Sequence, residues 1–248
     1  MSKSGIVMSI HKVPYVFGLA VLLVTLSIAK EPSDPYRVRW SPALKLKSIS
    51  DIDARLHRSF GDVFEGTVHG QPVTIRNCGD YLANAREGFA VTGGELAAKV
   101  LRADAVDCVA LEALRSARPA ATSYLREFQL NSAALAKLSP ILAPAVSNEK
   151  IAEARHAAEE GESWRQFVPA AHAKPLLKPG VLDVTQPDWD ATITEYGRGD
   201  FNGDGVDDLL VRADYAATKG TYRNARLFLL SRKSEAGILE VIKEYTIP

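Results

Sequence analysis

The stretch Gly199-Asp200-Phe201-Asn202-Gly203-Asp204-Gly205-Val206-Asp207-Asp208-Leu209 sets side-chain oxygens at alternate positions, Asp200, Asn202 and Asp204, and adds another at Asp208. Alternate residues turn inward together where a chain curls tightly, and Gly203 and Gly205 relieve the steric penalty of that curl. Residues 191–196 before it alternate Thr, Ile and Tyr, and Leu209-Leu210-Val211 after it is apolar and branched. Both flanks read as strands, so the loop is expected to join them. Hard cations take six to eight oxygens at about 2.3–2.6 Å. Asp200, Asn202, Asp204, the Val206 carbonyl and Asp208, with water in a remaining position, supply a set of that kind. Three carboxylates suit a divalent charge, and calcium is the expected cofactor. Asp207 is expected to face solvent, and Arg198 to offset the charge of the loop rather than to contact a partner.

An ordinary EF-hand requires a bidentate Glu at position twelve, which here, counting from Asp200, is the apolar Val211. The spacing Asp200-x-Asn202-x-Asp204-Gly205-x-x-Asp208 instead resembles the strand–loop–strand calcium motif of FG-GAP (integrin α-type) repeats. The resemblance implies one blade-like unit of the kind that builds a β-propeller, and a binding or interaction role. There is one copy, without a Phe-Gly or Gly-Ala-Pro element, so a complete propeller is excluded.

Upstream the pattern is helical. Residues 50–165 are rich in alanine and leucine. Ile52, Leu56 and Phe60 recur at four-residue intervals, which predicts a helix through Ser59 capped by Ser50 or Asp51. Residues 63–68 and 72–76 flank His69-Gly70-Gln71 as a small hairpin, and a helix is expected to start near Cys78. The polar face of 94–118 shifts part-way, and Asp104 followed by Asp107 resembles a cap, which predicts two helices split near residue 103. Further helices are expected over 121–130, 132–138 and 148–163. Pro169, Pro175 and Pro179 mark 167–180 as an extended connection. Beyond it, 191–196, 208–212, 225–230 and 238–245 read as four strands. The expected fold class is α+β: a helical subdomain with a small hairpin (30–166) packed on one face of a C-terminal four-stranded antiparallel blade-like meander (181–248).

The first 29 residues have a different character. Lys3, His11 and Lys12 form a basic leader ahead of an apolar run over 13–29 that ends Ser27-Ile28-Ala29. This predicts a signal peptide (1–29) cleaved after Ala29, and a periplasmic or secreted protein. The alternative is an uncleaved N-terminal membrane anchor, because the run just reaches spanning length. Over the whole chain 30 basic residues balance 30 acidic ones. The leader holds two of the lysines and no acid, so the mature chain is slightly acidic. All-round capture of nucleic acid or of an anionic membrane is thereby disfavoured. The only cysteines, Cys78 and Cys108, remain in the mature part. In an oxidising compartment a disulfide is expected, with two buried thiols or a reactive thiol as the alternatives.

No other constellation carries chemistry as directly. His156-Ala-Ala-Glu159 lacks the second histidine of a zinc-protease helix. Gly-x-Ser-x-Gly and Gly-Lys-Ser/Thr phosphate-loop patterns are absent from the sequence. Trp40, Trp164 and Trp189 are expected in packing rather than as a sugar platform, and Asp188 and Asp190 are not assigned as a catalytic pair. The expected function is an exported, calcium-stabilised, non-catalytic binding protein with an unidentified protein or envelope partner. A periplasmic inhibitor or immunity-type protein and an envelope-polymer hydrolase are the alternatives.

Overall fold

The computed structural model describes residues 37–174 and 178–247, all within one compact unit, Pro35–Pro248. The expected signal peptide, residues 1–29, lies outside the described residues. In chain order the elements are β1 (Arg39–Trp40), α1 (Ile49–Leu56), β2 (Ser59–Val68), β3 (Gln71–Asn77), α2 (Cys78–Ala85), β4 (Ala90–Val91), α3 (Gly94–Ser116), α4 (Asn148–Glu159), α5 (Trp164–Phe167), β5 (His172–Ala173), β6 (Val181–Gln186), β7 (Trp189–Gly199), β8 (Asp208–Ala217), β9 (Arg223–Ser231) and β10 (Glu240–Tyr245). Among the described residues no helix is long and apolar enough to cross a membrane.

The fold is α+β, but its main sheet is wider than a four-stranded meander. The four expected strands appear as β7–β10, and the order runs β10-β9-β8-β7-β6-β5, with β1 paired to the end of β7. The added strand β6 alternates half-buried and buried residues, with Leu182, Val184 and Gln186 inward. The proline-bearing stretch contributes β5, which pairs with β6. A second, three-stranded sheet, β3-β2-β4, enlarges the expected hairpin.

The sheet is buried on both faces rather than one. Leu209, Val211, Phe228 and Leu230 face a core completed by Leu125, Leu135, Leu142 and Trp164. Leu210, Leu227 and Leu229 face the helical layer, where they meet Ile52, Tyr81, Leu111 and Leu114. Two-faced burial is why the centres of β8 and β9 read as continuous apolar runs instead of alternating.

The layer on the first face is largely irregular. Residues 121–130 are not helical, and 132–138 is reduced to a 3-10 turn, Ser132–Ala136, followed by a second at Pro140–Leu142. The reason lies in where the backbone bonds go. Ala121 and Thr122 donate to the Gly205 carbonyl, and Ser139 donates to that of Leu239, whose own N–H reaches Lys137. These distant partners replace the local bonds of a helix. The expected helix 148–163 stops at Glu159, and Ser163 then caps the single turn α5, which sinks Trp164 fully into the core.

The helical layer departs from expectation in α3 and in the bounds of α1. Helix α3 runs unbroken for 23 residues, without a split near 103. Its polar face shifts because its surroundings do. Residues 94–103 are mostly exposed, whereas Ala105, Val106, Cys108, Ala110 and Leu114 pack on the sheet and on α2. Asp104 is no cap but lies within the helix, and the Asp107 carboxylate accepts from the Tyr196 hydroxyl and from Arg212, both at 2.6 Å. At α1 the cap is Ser48, in a reciprocal pair with Asp51, and the helix ends at Leu56 because Ser59 already begins β2. Cys78, the first residue of α2, forms the expected disulfide with Cys108 in the middle of α3.

Candidate functional site

The Asp-rich loop is the connection of the β7–β8 hairpin, whose last paired residues are Gly199 and Asp208. Gly203 and Gly205 have φ of +87° and +81°, the left-handed conformation that the curl demands. The side chains fold the loop on itself. The Asp200 carboxylate accepts from the N–H groups of Gly203 (2.6 Å) and Gly205 (3.0 Å). The Asn202 carbonyl oxygen accepts from the Asp204 N–H at 2.9 Å, and Asp204 accepts from the Val206 N–H at 2.8 Å. The Asn202 amide also donates to Asp204 at 2.9 Å. Asp208 Oδ2 accepts from the Phe201 N–H at 3.2 Å and closes the circuit.

The sequence motif thus gathers Asp200, Asn202, Asp204 and Asp208 around one turn. The Val206 carbonyl is not drawn into the bridge beside it, whose bonds run from Thr122 to the Gly205 carbonyl and from Asp207 to that of Thr122. Among the described residues no group of three or more His, Cys, Asp and Glu side chains is placed to hold a metal ion. The chemistry of the donor set nonetheless fits a hard cation. Asp208 is fully buried, and its Oδ1 has no hydrogen-bond partner. Burial pushes the Asp208 carboxyl up to about 6, hydrogen bonds from Ser231 and Phe201 oppose the rise, and the charges of Asp204 and Asp200 add to it. A divalent ion among these oxygens would relieve both the orphaned atom and the mutual repulsion.

Asp207 is placed differently from expectation. It is 1% exposed rather than solvated, because the chain reverses into β8 with this side chain turned under the loop. Its Oδ2 accepts from the Ser123 hydroxyl at 2.7 Å and from the Arg39 guanidinium at 3.2 Å. Burial raises its carboxyl above the usual range against the opposing pull of Ser123, Arg39 and Arg198. Arg198 does not turn to the loop. Its guanidinium pairs with Glu195 at 2.8 and 2.9 Å, and donates to the carbonyls of Leu125 (2.8 Å) and Phe128 (3.0 Å). Arg232 approaches the same Phe128 ring and donates to the Tyr124 carbonyl. Arg118 exchanges backbone bonds with Asp200 at 2.8 and 2.9 Å.

The loop is therefore seated in a cradle formed by residues 118–128 and β1. Sequence reasoning missed Arg39, Arg118, Thr122 and Ser123, and no local signal marks them, since Ser123 lies 84 positions and Arg39 168 positions from Asp207. The remaining candidates serve packing and turns. Trp164 is fully buried, while Trp40 and Trp189 are partly buried against the two cores. Asp188 sits in the β6–β7 turn with φ +66°, and Asp190 accepts from Thr185 and pairs with Lys174. His156 lies on the exposed side of α4, 3.5 Å from Glu160.

Residues 198–227 match the FG-GAP repeat, in a single copy. That span covers the end of β7, the Asp-rich loop, all of β8 and the first half of β9. Comparison of the chain with curated proteins and with solved structures gives no match.

Proposed function

We propose that the chain is an exported, calcium-stabilised, non-catalytic binding protein, with calcium held by Asp200, Asn202, Asp204, Asp208 and the Val206 carbonyl. The observation that carries this reading is the single FG-GAP loop seated in the 118–128 cradle, with a buried and unpartnered carboxylate oxygen on Asp208. Calcium would supply a fixed positive charge there. The chain's own contribution is to hold the oxygens in a curl, to keep Asp208 dry, and to pass the order of the loop to the cradle through Asp207 and Ser123. A disulfide between Cys78 and Cys108 is in keeping with an oxidising compartment outside the cytoplasm.

Two carboxylates beside α3 are better placed as acceptors than as proton donors. A broad groove lies beside α3, and two of its carboxylates, Asp190 and Glu95, are held below the usual range, the first by the Thr185 hydroxyl and the second by Lys99. Groups that stay ionised near neutrality make poor proton donors and better fixed acceptors. The test is capture from envelope extracts by the full mature chain in calcium and in chelator, beside Asp204→Ala. We expect a partner retained only by the wild type with calcium. Capture indifferent to calcium and to Asp204, or turnover of envelope polymers by the purified chain, would contradict the reading.

A further inference from the structure

We propose that the groove between the exposed first half of α3 and the open end of the main sheet binds an acidic oligosaccharide. The cavity measures about 1030 Å³ and is lined by Arg102 from α3, Thr192 and Asp190 from β7, Asp214 from β8, and Tyr222 and Arg223 from the β8–β9 turn and β9. It goes beyond the binding-protein reading above, adding a ligand independent of the calcium-dependent partner, and it uses none of the loop residues.

The floor is a fixed polar lattice. Thr192 donates to Asp183 at 2.6 Å, and Thr185 to Asp190 at 2.8 Å, with Lys174 3.4 Å from the same Asp190 oxygen. Arg212 holds both oxygens of Asp214 at 2.8–3.0 Å and reaches Asp107 on α3. Paired in these ways, Asp190 and Asp214, which line the groove, are fixed in direction, and each carboxylate has acceptor capacity beyond the donors it meets. A ligand rich in hydroxyl groups can donate to such acceptors, and a lattice that is already ordered loses little entropy on binding.

The walls supply what the floor lacks. No carboxylate among the described residues lies within ion-pairing distance of Arg102 on one wall or Arg223 on the other. Both are exposed. A planar guanidinium takes a carboxylate through two parallel hydrogen bonds, so each wall offers a seat for an acidic sugar. Lys99, Lys174 and Arg212 also line the groove against Glu95, Asp190 and Asp214, so its lining carries a net positive charge on a chain whose formal charge is zero. Tyr222 is 48% exposed and braced edge-on by Trp189, with ring centres 5.5 Å apart, which presents a fixed apolar face for the C–H side of a sugar ring. An acidic peptide would meet the same arginines but would bring carboxylates toward Asp190 and Asp214 without hydroxyl groups to satisfy them.

The experiment applies the full mature chain, with calcium, to an array of oligosaccharides carrying uronic, sialic or muramic carboxylates, beside their neutral counterparts and tetraglutamate. Titration calorimetry follows on the best binder. We expect acidic glycans alone to bind, with affinity falling as salt rises. Arg102→Gln and Arg223→Gln should each weaken binding about ten- to a hundredfold, in line with the loss of a charge-assisted pair. Tyr222→Ala should weaken it as well. The two arginine variants are exposed substitutions and should leave melting and its calcium response unchanged, Tyr222→Ala should leave the calcium response unchanged, and Asp204→Ala changes only the calcium response. The two readings can therefore fail separately. Absence of any acidic-glycan signal, equal binding of neutral counterparts, tighter binding of tetraglutamate, or full affinity in the double arginine variant would each overturn the proposal.

Discussion

Asp207 and Asp208 are neighbours in an acidic run, yet they answer to different parts of the molecule. Asp208 closes the loop, while Asp207 fastens it to Ser123 and Arg39. Asp207→Ala should cost about 1–3 kcal/mol in denaturant unfolding, because two donors lose a buried acceptor. Ser123→Ala should cost less, and the double variant less than the sum, since both act on one hydrogen bond. Gly197 supplies a second prediction at this scale. A β-carbon there would sit 2.6 Å from Leu114 Cδ2 and 2.9 Å from the Arg39 carbonyl oxygen. Gly197→Ala should therefore destabilise by about 1–3 kcal/mol through overpacking between β7, α3 and β1. The four acidic and amide positions of the loop were legible in the sequence because their spacing is local. Their anchors were not, because Arg39 and Ser123 reach Asp207 only once the whole chain has folded.

Helices and strands were legible where a segment has one environment and obscure where it has two. The four C-terminal strands announce themselves by alternation or by apolar runs, and the hairpin at His69-Gly70 by its turn. Helix α3 misleads because its first ten residues overhang the groove while the remainder is packed, so the shift in its polar face looks like a break. Ala103→Pro separates these descriptions: in one continuous helix it should cost about 3 kcal/mol and reduce helicity, whereas at the start of a second helix it would be tolerated. Residues 121–138 mislead for the opposite reason. Their alanines and leucines suit a helix, but the segment is tied at both ends to distant carbonyls: Ala121 and Thr122 donate to Gly205, and Ser139, just beyond it, donates to Leu239. The disulfide acts at the same scale, joining α2 to α3 across 30 residues. Replacing both cysteines with alanine should lower stability by roughly 3–4 kcal/mol in the chain-entropy description, measured against the oxidised wild type.

The whole molecule is a sheet buried on both faces, closed at one end by the loop and its cradle and open at the other as a charged groove. Its charge balances over the whole sequence but is unevenly spread: carboxylates crowd the loop, and unpaired arginines flank the groove. Calcium in the loop would hold β7 and β8 in register and keep 118–128 in place, so its removal should be felt by the entire unfolding transition rather than by a surface turn alone. The direct measurement is calorimetric melting of the full mature chain across calcium concentrations and in chelator, with Asp204→Ala alongside. With a dissociation constant of roughly 0.1–1 mM, as for extracellular calcium modules, 10 mM calcium should raise the melting temperature by roughly 3–10 °C, and Asp204→Ala should abolish the rise. Identical melting of the wild type in calcium and in chelator would contradict the account.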